Sequence, residues 1–290
     1  MRVLVTGATG HLGTAIVEHF SRSHEVTATT RDDLDARDHR AVDALVRHIR
    51  PGAIINCAAY TDVDGAEDDS AEALNVNAFA VGALARAAND VGAALVHYST
   101  DFVFDGTGTR PYTEEDEPTP QGTYACSKLI GEWLAQDADR AYVLRVESIF
   151  GADTPDQARR TSVDRIVDDL IAGRDARVFS DRTVSPSYGC DVALATRLLL
   201  ERGAPAGLYH CVNTGACTWE ALAREVARQL GIAPRLVPMR MSEARLRAPR
   251  PLYCALANAK LAAAGVPMPT WQDAIGRYLA AREGDRRGRA

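Results

Sequence analysis

Residues 2–13 read R-V-L-V-T-G-A-T-G-H-L-G. The opening run is short, apolar and β-branched, the composition of a buried strand. Gly7, Gly10 and Gly13 follow at once, and a helix is expected over Thr14 to Arg22. A strand, a glycine-rich turn and a helix N-terminus in that order make a dinucleotide site. Gly7 permits the tight turn. Gly10 lets the backbone approach a pyrophosphate at the positive end of the helix, and Gly13 lets the helix pack closely on the sheet. The spacing is G-x-x-G-x-x-G.

Outward from this loop, strands and helices alternate. Strands are expected at Val26–Thr30, Ala53–Ala58, Ala94–Ser99 and Ala141–Val146. Helices are expected at Asp38–Arg50, Ala71–Val91 and Tyr124–Asp137. Alternation of this kind predicts an α/β fold, a doubly wound parallel (Rossmann) sheet. The pattern loosens after residue 150. The sequence therefore predicts a dinucleotide-binding domain over 1–150, with its sheet completed by part of 176–200. A smaller C-terminal substrate-binding lobe is expected over 151–280 and a disordered tail over 281–290.

A chain of 290 residues can bury a large core. Its formal net charge of −6 argues against nonspecific nucleic-acid binding. The six cysteines are scattered without a C-x-x-C pair, so neither a metal site nor a disulfide framework is expected. Cys126 is closest to the chemistry below, and helical spacing puts it on the far side of its turn. The N-terminus enters a strand directly and lacks the apolar region of a signal peptide, and no stretch has transmembrane length. A cytoplasmic location is the resulting expectation.

The chemistry centres on T-Y-A-C-S-K-L-I-G-E, in which Tyr124 and Lys128 lie four residues apart on one helix face. A nearby ammonium favours the phenolate, which makes a tyrosine usable as an acid or base near neutral pH. Y-x-x-x-K alone arises by chance on many helices; the glycine loop and S-T-D-F-V-F-D-G give it weight. That second motif puts Thr100 and Asp101 at a strand end. Hydride addition to a ketone builds negative charge on oxygen, which Thr100 and Tyr124 would stabilise. At the end of the second strand, Arg31 favours the extra phosphate of NADPH, while the adjacent Asp32 and Asp33 leave NADH as an alternative.

G-A-T-G-H-L-G, N-C-A-A-Y-T-D-V-D-G-A-E, V-N-A, S-T-D-F-V-F-D-G, P-Y-T-E-E-D-E-P-T-P and Y-A-C-S-K-L-I-G-E occur in that order. The chain closely resembles the extended short-chain dehydrogenase/reductases, and within them the dTDP-4-dehydrorhamnose reductases. F-S-D-R-T-V-S-P-S-Y, G-L-Y-H-C-V-N-T-G and R-P-L-Y-C-A-L extend the resemblance over nearly the whole chain. It implies that Gly10, His11 and Leu12 touch the pyrophosphate and that Asp35 lies near the adenine. It also implies that Ala58, Ala59, Tyr60 and Tyr98 line the cofactor, and that Thr100 and Asp101 contact the sugar. Tyr124 would be the acid, with Lys128 beside it. The implied activity is reduction of the 4-keto group of a nucleotide-linked 4-dehydro-6-deoxy sugar.

Several positions depart from that resemblance. Related dehydratases carry an Asp-Glu pair after the strand-end threonine; here Phe102 follows Asp101, which disfavours dehydration. Ser148, after Glu147, stands where these reductases have a tryptophan near the sugar. Arg182 is either a partner of the substrate diphosphate or a solvated loop charge, and Arg250 is a second candidate for the diphosphate. Some relatives form metal-linked dimers; a homodimer is compatible with this, but no local ligand cluster supports a metal. Two other functions remain open. One is a regulatory subunit like that of methionine adenosyltransferase, which keeps the fold without turnover. The other is reduction of a different carbonyl compound.

Overall fold

The computed structural model of the protein describes residues 1–151 and 160–288. The first half contains β1 (Arg2–Thr6), α1 (His11–Phe20), β2 (Glu25–Thr29), α2 (His39–Ile49) and β3 (Ala53–Asn56). A helical run follows, made of α3 (Ser70–Leu74), a π-helical turn (Asn75–Phe79) and α4 (Ala80–Val91). Then come β4 (Ala94–Thr100), α5 (Thr123–Ala135), β5 (Ala141–Val146), β6 (Ile149–Phe150), α6 (Ser162–Ile171), β7 (Ala176–Phe179), β8 (Thr183–Val184) and β9 (Ser187–Tyr188). The chain closes with α7 (Gly189–Glu201), β10 (Gly207–His210), β11 (Cys217–Thr218), α8 (Trp219–Leu230), β12 (Leu236–Met239), α9 (Ala259–Ala263) and α10 (Trp271–Gly288).

Six parallel strands form the main sheet in the order β10-β5-β4-β3-β1-β2. Both faces are covered, which is why its strands are apolar without alternation. Val3, Val5 and Val96 face a cluster with Leu12, Ile16, Val192 and Leu199 of α1 and α7. Leu4, Ile54 and Leu95 face Val42, Leu84 and Ala135 of α2, α4 and α5. The strand order reverses between β1 and β3. Loops leaving their carboxyl ends therefore diverge and open the crevice in which such sheets bind ligands.

The sixth strand corrects the expected boundary. It is Gly207–His210, paired parallel with Tyr142–Arg145, and not a segment of 176–200. β7 instead pairs with β12, and its Val178 packs with Val167, Leu222, Val226 and Ile275 in the core of the smaller lobe. Residues 189–201 form the crossover helix α7, which packs on α1. The chain end is also corrected. The tail expected from 281 is helical through Gly288, and residues 289–290 lie outside the described ones. Arg282 anchors this helix through Asp168, with Nη2–Oδ1 at 2.6 Å, and its guanidinium lies 5.5 Å from the centroid of the Tyr278 ring.

Helix α5 is fixed to the sheet by charge as well as packing. Arg145 of β5 makes two parallel bonds to Glu132, at 2.8 and 2.7 Å, and both side chains are 2% exposed. Phe104 lies under the same guanidinium at 5.0 Å. Removing one partner of a buried pair leaves an uncompensated charge. Glu132→Ala is expected to lower stability to urea by about 3–5 kcal/mol. A loss below about 1 kcal/mol would show that Arg145 finds another partner.

Candidate active site

The glycine loop sits at the reversal point of the sheet. Gly7 has φ +65°, and a Cβ there would lie 2.5 Å from the Ala58 nitrogen of the loop after β3. A Cβ on Gly13 would lie 2.1 Å from the Gly7 carbonyl oxygen. Gly13 thus allows the helix to close on its own loop, a nearer neighbour than the sheet that the sequence suggested. Gly10 caps α1 without a side chain, so its first turn presents backbone N–H groups and the positive end of the helix dipole.

From Gly10 a cleft of about 1140 Å³ runs across the carboxyl ends of the strands to the smaller lobe. Among the residues named from the sequence, His11, Leu12, Ala58, Ala59, Tyr98, Thr100, Asp101, Tyr124, Lys128, Ser148 and Arg182 line it with Gly10. Tyr60, Arg31, Asp35 and Arg250 are not on its wall. Arg31 is 70% exposed and 3.3 Å from Glu72. Asp35 is held by Arg37, and Arg37 also reaches Glu72 at 2.7 Å. The Asp35 carboxyl is held down at about 2, mainly by its hydrogen bond from Arg37. Arg37 carries the acids that surround Arg31, a role the sequence did not reveal.

Asn77 orders the loop after β3. Its Oδ1 accepts from the Tyr60 N–H at 2.9 Å, and its Nδ2 donates to the Tyr60 carbonyl and to Ser127 Oγ, each at 3.0 Å. The π-helical turn carries this side chain inward, as such turns do at functional sites. Its signal in the sequence was the V-N-A motif.

Tyr124 and Lys128 lie in the first two turns of α5; Lys128 is buried and Tyr124 is half-buried at the cleft wall. The pairing differs from the one their spacing suggested. Burial, and then the Asp101 carboxylate, push the Tyr124 phenol up, while Thr100 and Arg250 draw it back. Lys128 Nζ donates to the Tyr98 carbonyl at 2.6 Å, and burial lowers this ammonium to about 8. The phenol of Tyr98 turns away to Thr196 of α7, with the two oxygens 2.7 Å apart. Phe102 meets the Tyr124 ring edge-on, with centroids 5.7 Å apart, and so fixes its direction.

Beyond Tyr124 the cleft is charged. Thr100 Oγ1 donates to Asp101 Oδ1 at 2.9 Å. Arg182, half-buried, lies 3.9 Å from Asp101 Oδ2 and 5.3 Å from the Phe102 ring centroid. Arg250 donates to Asp64 at 3.0 Å. Both arginines, the candidates for the diphosphate, therefore face a carboxylate in the fold. Arg160 and Arg165 line the cleft in addition. Ser148 adopts φ +44°, a conformation that costs a non-glycine residue energy and recurs at functional sites.

Two further expectations are revised. Cys126 is exposed; Cys57 lines the cleft, and buried Cys254 lies 3.6 Å from Arg182. A second carboxyl does stand near Asp101: it is Glu147, brought from the end of β5. Asp101, Glu147 and Cys254 form a group that sequence spacing could not reveal. None of the described helices is long and apolar enough to cross a membrane.

A parallel sheet with this glycine loop, a strand-end threonine and a Tyr-x-x-x-Lys pair in the cleft defines an extended short-chain dehydrogenase/reductase. Within that class the chain belongs to the family described as RmlD substrate binding domain, which matches residues 1–283. A dTDP-4-dehydrorhamnose reductase of Streptomyces griseus is 38% identical over 283 residues, spanning 94% of this chain and 91% of its own. The crystal structure of a dTDP-4-dehydrorhamnose reductase from Clostridium acetobutylicum is similar at a TM-score of 0.90 and 31% identity, covering 98% of this chain and 100% of that one. That of the Bacillus anthracis reductase, in complex with NADP, gives 0.89 and 29%, covering 97% and 99%.

Proposed function

We propose that the protein uses NADPH to reduce the 4-keto group of a 4-dehydro-6-deoxy sugar carried on a nucleotide, with dTDP as the carrier. The observation that carries this reading is the single cleft joining the open N-terminus of α1 to Thr100, Tyr124 and Lys128. The named relatives supply the substrate class, and the NADP complex of one of them supports the cofactor. The residues present fit a dinucleotide. The positive φ of Gly7 and the close approach of Gly13 shape the loop, and Gly10 presents a bare helix end.

When bound, reduced nicotinamide supplies a hydride to the ketone carbon. The side chains handle the proton and the charge. Tyr124 is a neutral phenol across the physiological range, so it carries the proton the product oxygen needs. Thr100 offers a hydroxyl beside it to the developing oxyanion. Lys128 positions the cofactor ribose with its ammonium. Arg165 and Arg182, both on the cleft wall, would meet the substrate's diphosphate.

Tyr124→Phe should lower kcat with NADPH and dTDP-4-dehydro-6-deoxyhexose by roughly 10²- to 10⁴-fold. An unchanged rate would remove Tyr124 as the acid. Lys128 is charged below about 8 and neutral above it. In the free enzyme, kcat/KM for NADPH should therefore fall as pH rises through that value. Arg31→Ala should reduce the preference for NADPH over NADH by roughly tenfold, since a guanidinium pairs with a phosphate. An unaltered ratio, measured by nicotinamide absorbance, would place the 2′-phosphate elsewhere.

A further inference from the structure

At the carboxyl end of β2, four side chains of alternating charge form a chain. Arg31 Nη2 lies 3.3 Å from Glu72 Oε1. Arg37 Nη1 donates to both Glu72 oxygens, at 2.8 and 2.7 Å. The same guanidinium donates from Nε and Nη2 to the two Asp35 oxygens, at 2.9 and 2.6 Å. The order is Arg31, Glu72, Arg37, Asp35. Glu72 comes from α3, and the other three come from the loop between β2 and α2.

That loop is held in place by its own bonds. Thr30 donates its N–H and its hydroxyl to Asp33, and the Leu34 N–H returns to the Thr30 carbonyl. Leu34 is buried in the cluster with Leu4 and Val42, and Ala36 is buried too. Asp35 and Arg37 alternate with them and stay half-buried. The loop also adjoins the glycine turn, because the Ala8 N–H donates to the Thr29 carbonyl at 3.1 Å. The end of the second strand is where such sheets meet the adenosine ribose.

Two kinds of recognition compete at that place. A carboxylate accepts from the ribose hydroxyls of NADH, whereas a guanidinium pairs with the 2′-phosphate of NADPH. The chain holds one group of each kind, Asp35 and Arg31. Arg37 occupies both oxygens of Asp35 and both of Glu72, while Arg31 keeps a single contact and is 70% exposed. Ion pairs this open to solvent add little to stability. Their consequence is the charge that the loop presents to a ligand.

We propose that Arg37 selects NADPH by masking Asp35 and Glu72, which leaves Arg31 to the 2′-phosphate, and that Glu72 opposes the selection. This rests on the reading of Arg31 given above. Arg37 acts through its neighbours and is a positioning residue. Without it, Asp35 is open to the ribose hydroxyls and Glu72 draws Arg31 to itself. Two bare carboxylates then repel the phosphate. Without the charge on Glu72, Arg37 keeps Asp35 and Arg31 is released. The same ion pair, broken from its two ends, therefore shifts cofactor preference in opposite directions. A pair that merely braced the loop would give one direction from either end.

Dissociation constants for NADPH and NADH, measured on the full chain by nicotinamide fluorescence at one ionic strength, test this without a sugar substrate. Arg37→Met should weaken NADPH relative to NADH by roughly tenfold. Arg37→Lys, which keeps the charge, should recover part of that loss. Glu72→Gln should tighten NADPH relative to NADH by about threefold. A shift in the same direction from Arg37→Met and Glu72→Gln would overturn the proposal, and so would an unchanged ratio in both. Arg31→Ala is measured alongside. If it lowers the ratio and Arg37→Met does not, the masking fails while the role of Arg31 stands. If Arg31→Ala leaves the ratio unchanged, the 2′-phosphate reading itself fails and the proposal falls with it.

Discussion

Helix α5 carries Tyr124, the proposed proton donor, and the buried Glu132–Arg145 pair fixes it against β5. Lys128 adds a second tie, to the Tyr98 carbonyl of β4. These two attachments lie one turn apart on the same face of the helix. They set both its rotation and its height over the sheet, and so decide that Tyr124 stands beside Thr100. The cost of burying these charges is met locally by parallel hydrogen bonds and by the Phe104 ring beneath Arg145. A helix held only by apolar contacts would have more freedom to slide, and Tyr124 would move with it.

Charge balance governs the rest of the cleft. Asp101, Glu147 and Cys254 are buried together, with Arg182 half-buried over Asp101. Phe102 stands where related dehydratases carry their second acid. It presses edge-on against Tyr124 and accepts both Arg182 and Arg250 over its ring. The carboxyl missing from position 102 is therefore not absent from the site. Glu147 brings one from the end of the next strand, within 4.8 Å of Asp101 and accepting from the Ser185 N–H.

Local patterns in the sequence reveal much of this structure. The run at residues 2–6, the glycines after it and the Tyr-x-x-x-Lys helix are contiguous signals, and each lies where its pattern required. Contacts between distant segments were not legible. The sixth strand is four residues long and is separated from β5 by much of the smaller lobe, so nothing local marks its partner. Asp101 and Glu147 meet only because β4 and β5 pair in register, Thr100 opposite Val146. Arg182 and Arg250 look like free cations in the sequence; folding gives each a carboxylate. The expected effect of Lys128 on the Tyr124 phenol assumed that spacing alone sets the contact. In the fold that ammonium is drawn to a carbonyl instead.

The most direct test follows the hydride itself. NADPH deuterated at the transferring position of its nicotinamide C4 would be incubated with the protein and dTDP-4-dehydro-6-deoxyhexose, and the product read by NMR. The account predicts deuterium at sugar C4, one for each nicotinamide oxidised, and its loss in Tyr124→Phe. Deuterium at another carbon, or oxidation of NADPH without labelled sugar, would contradict it.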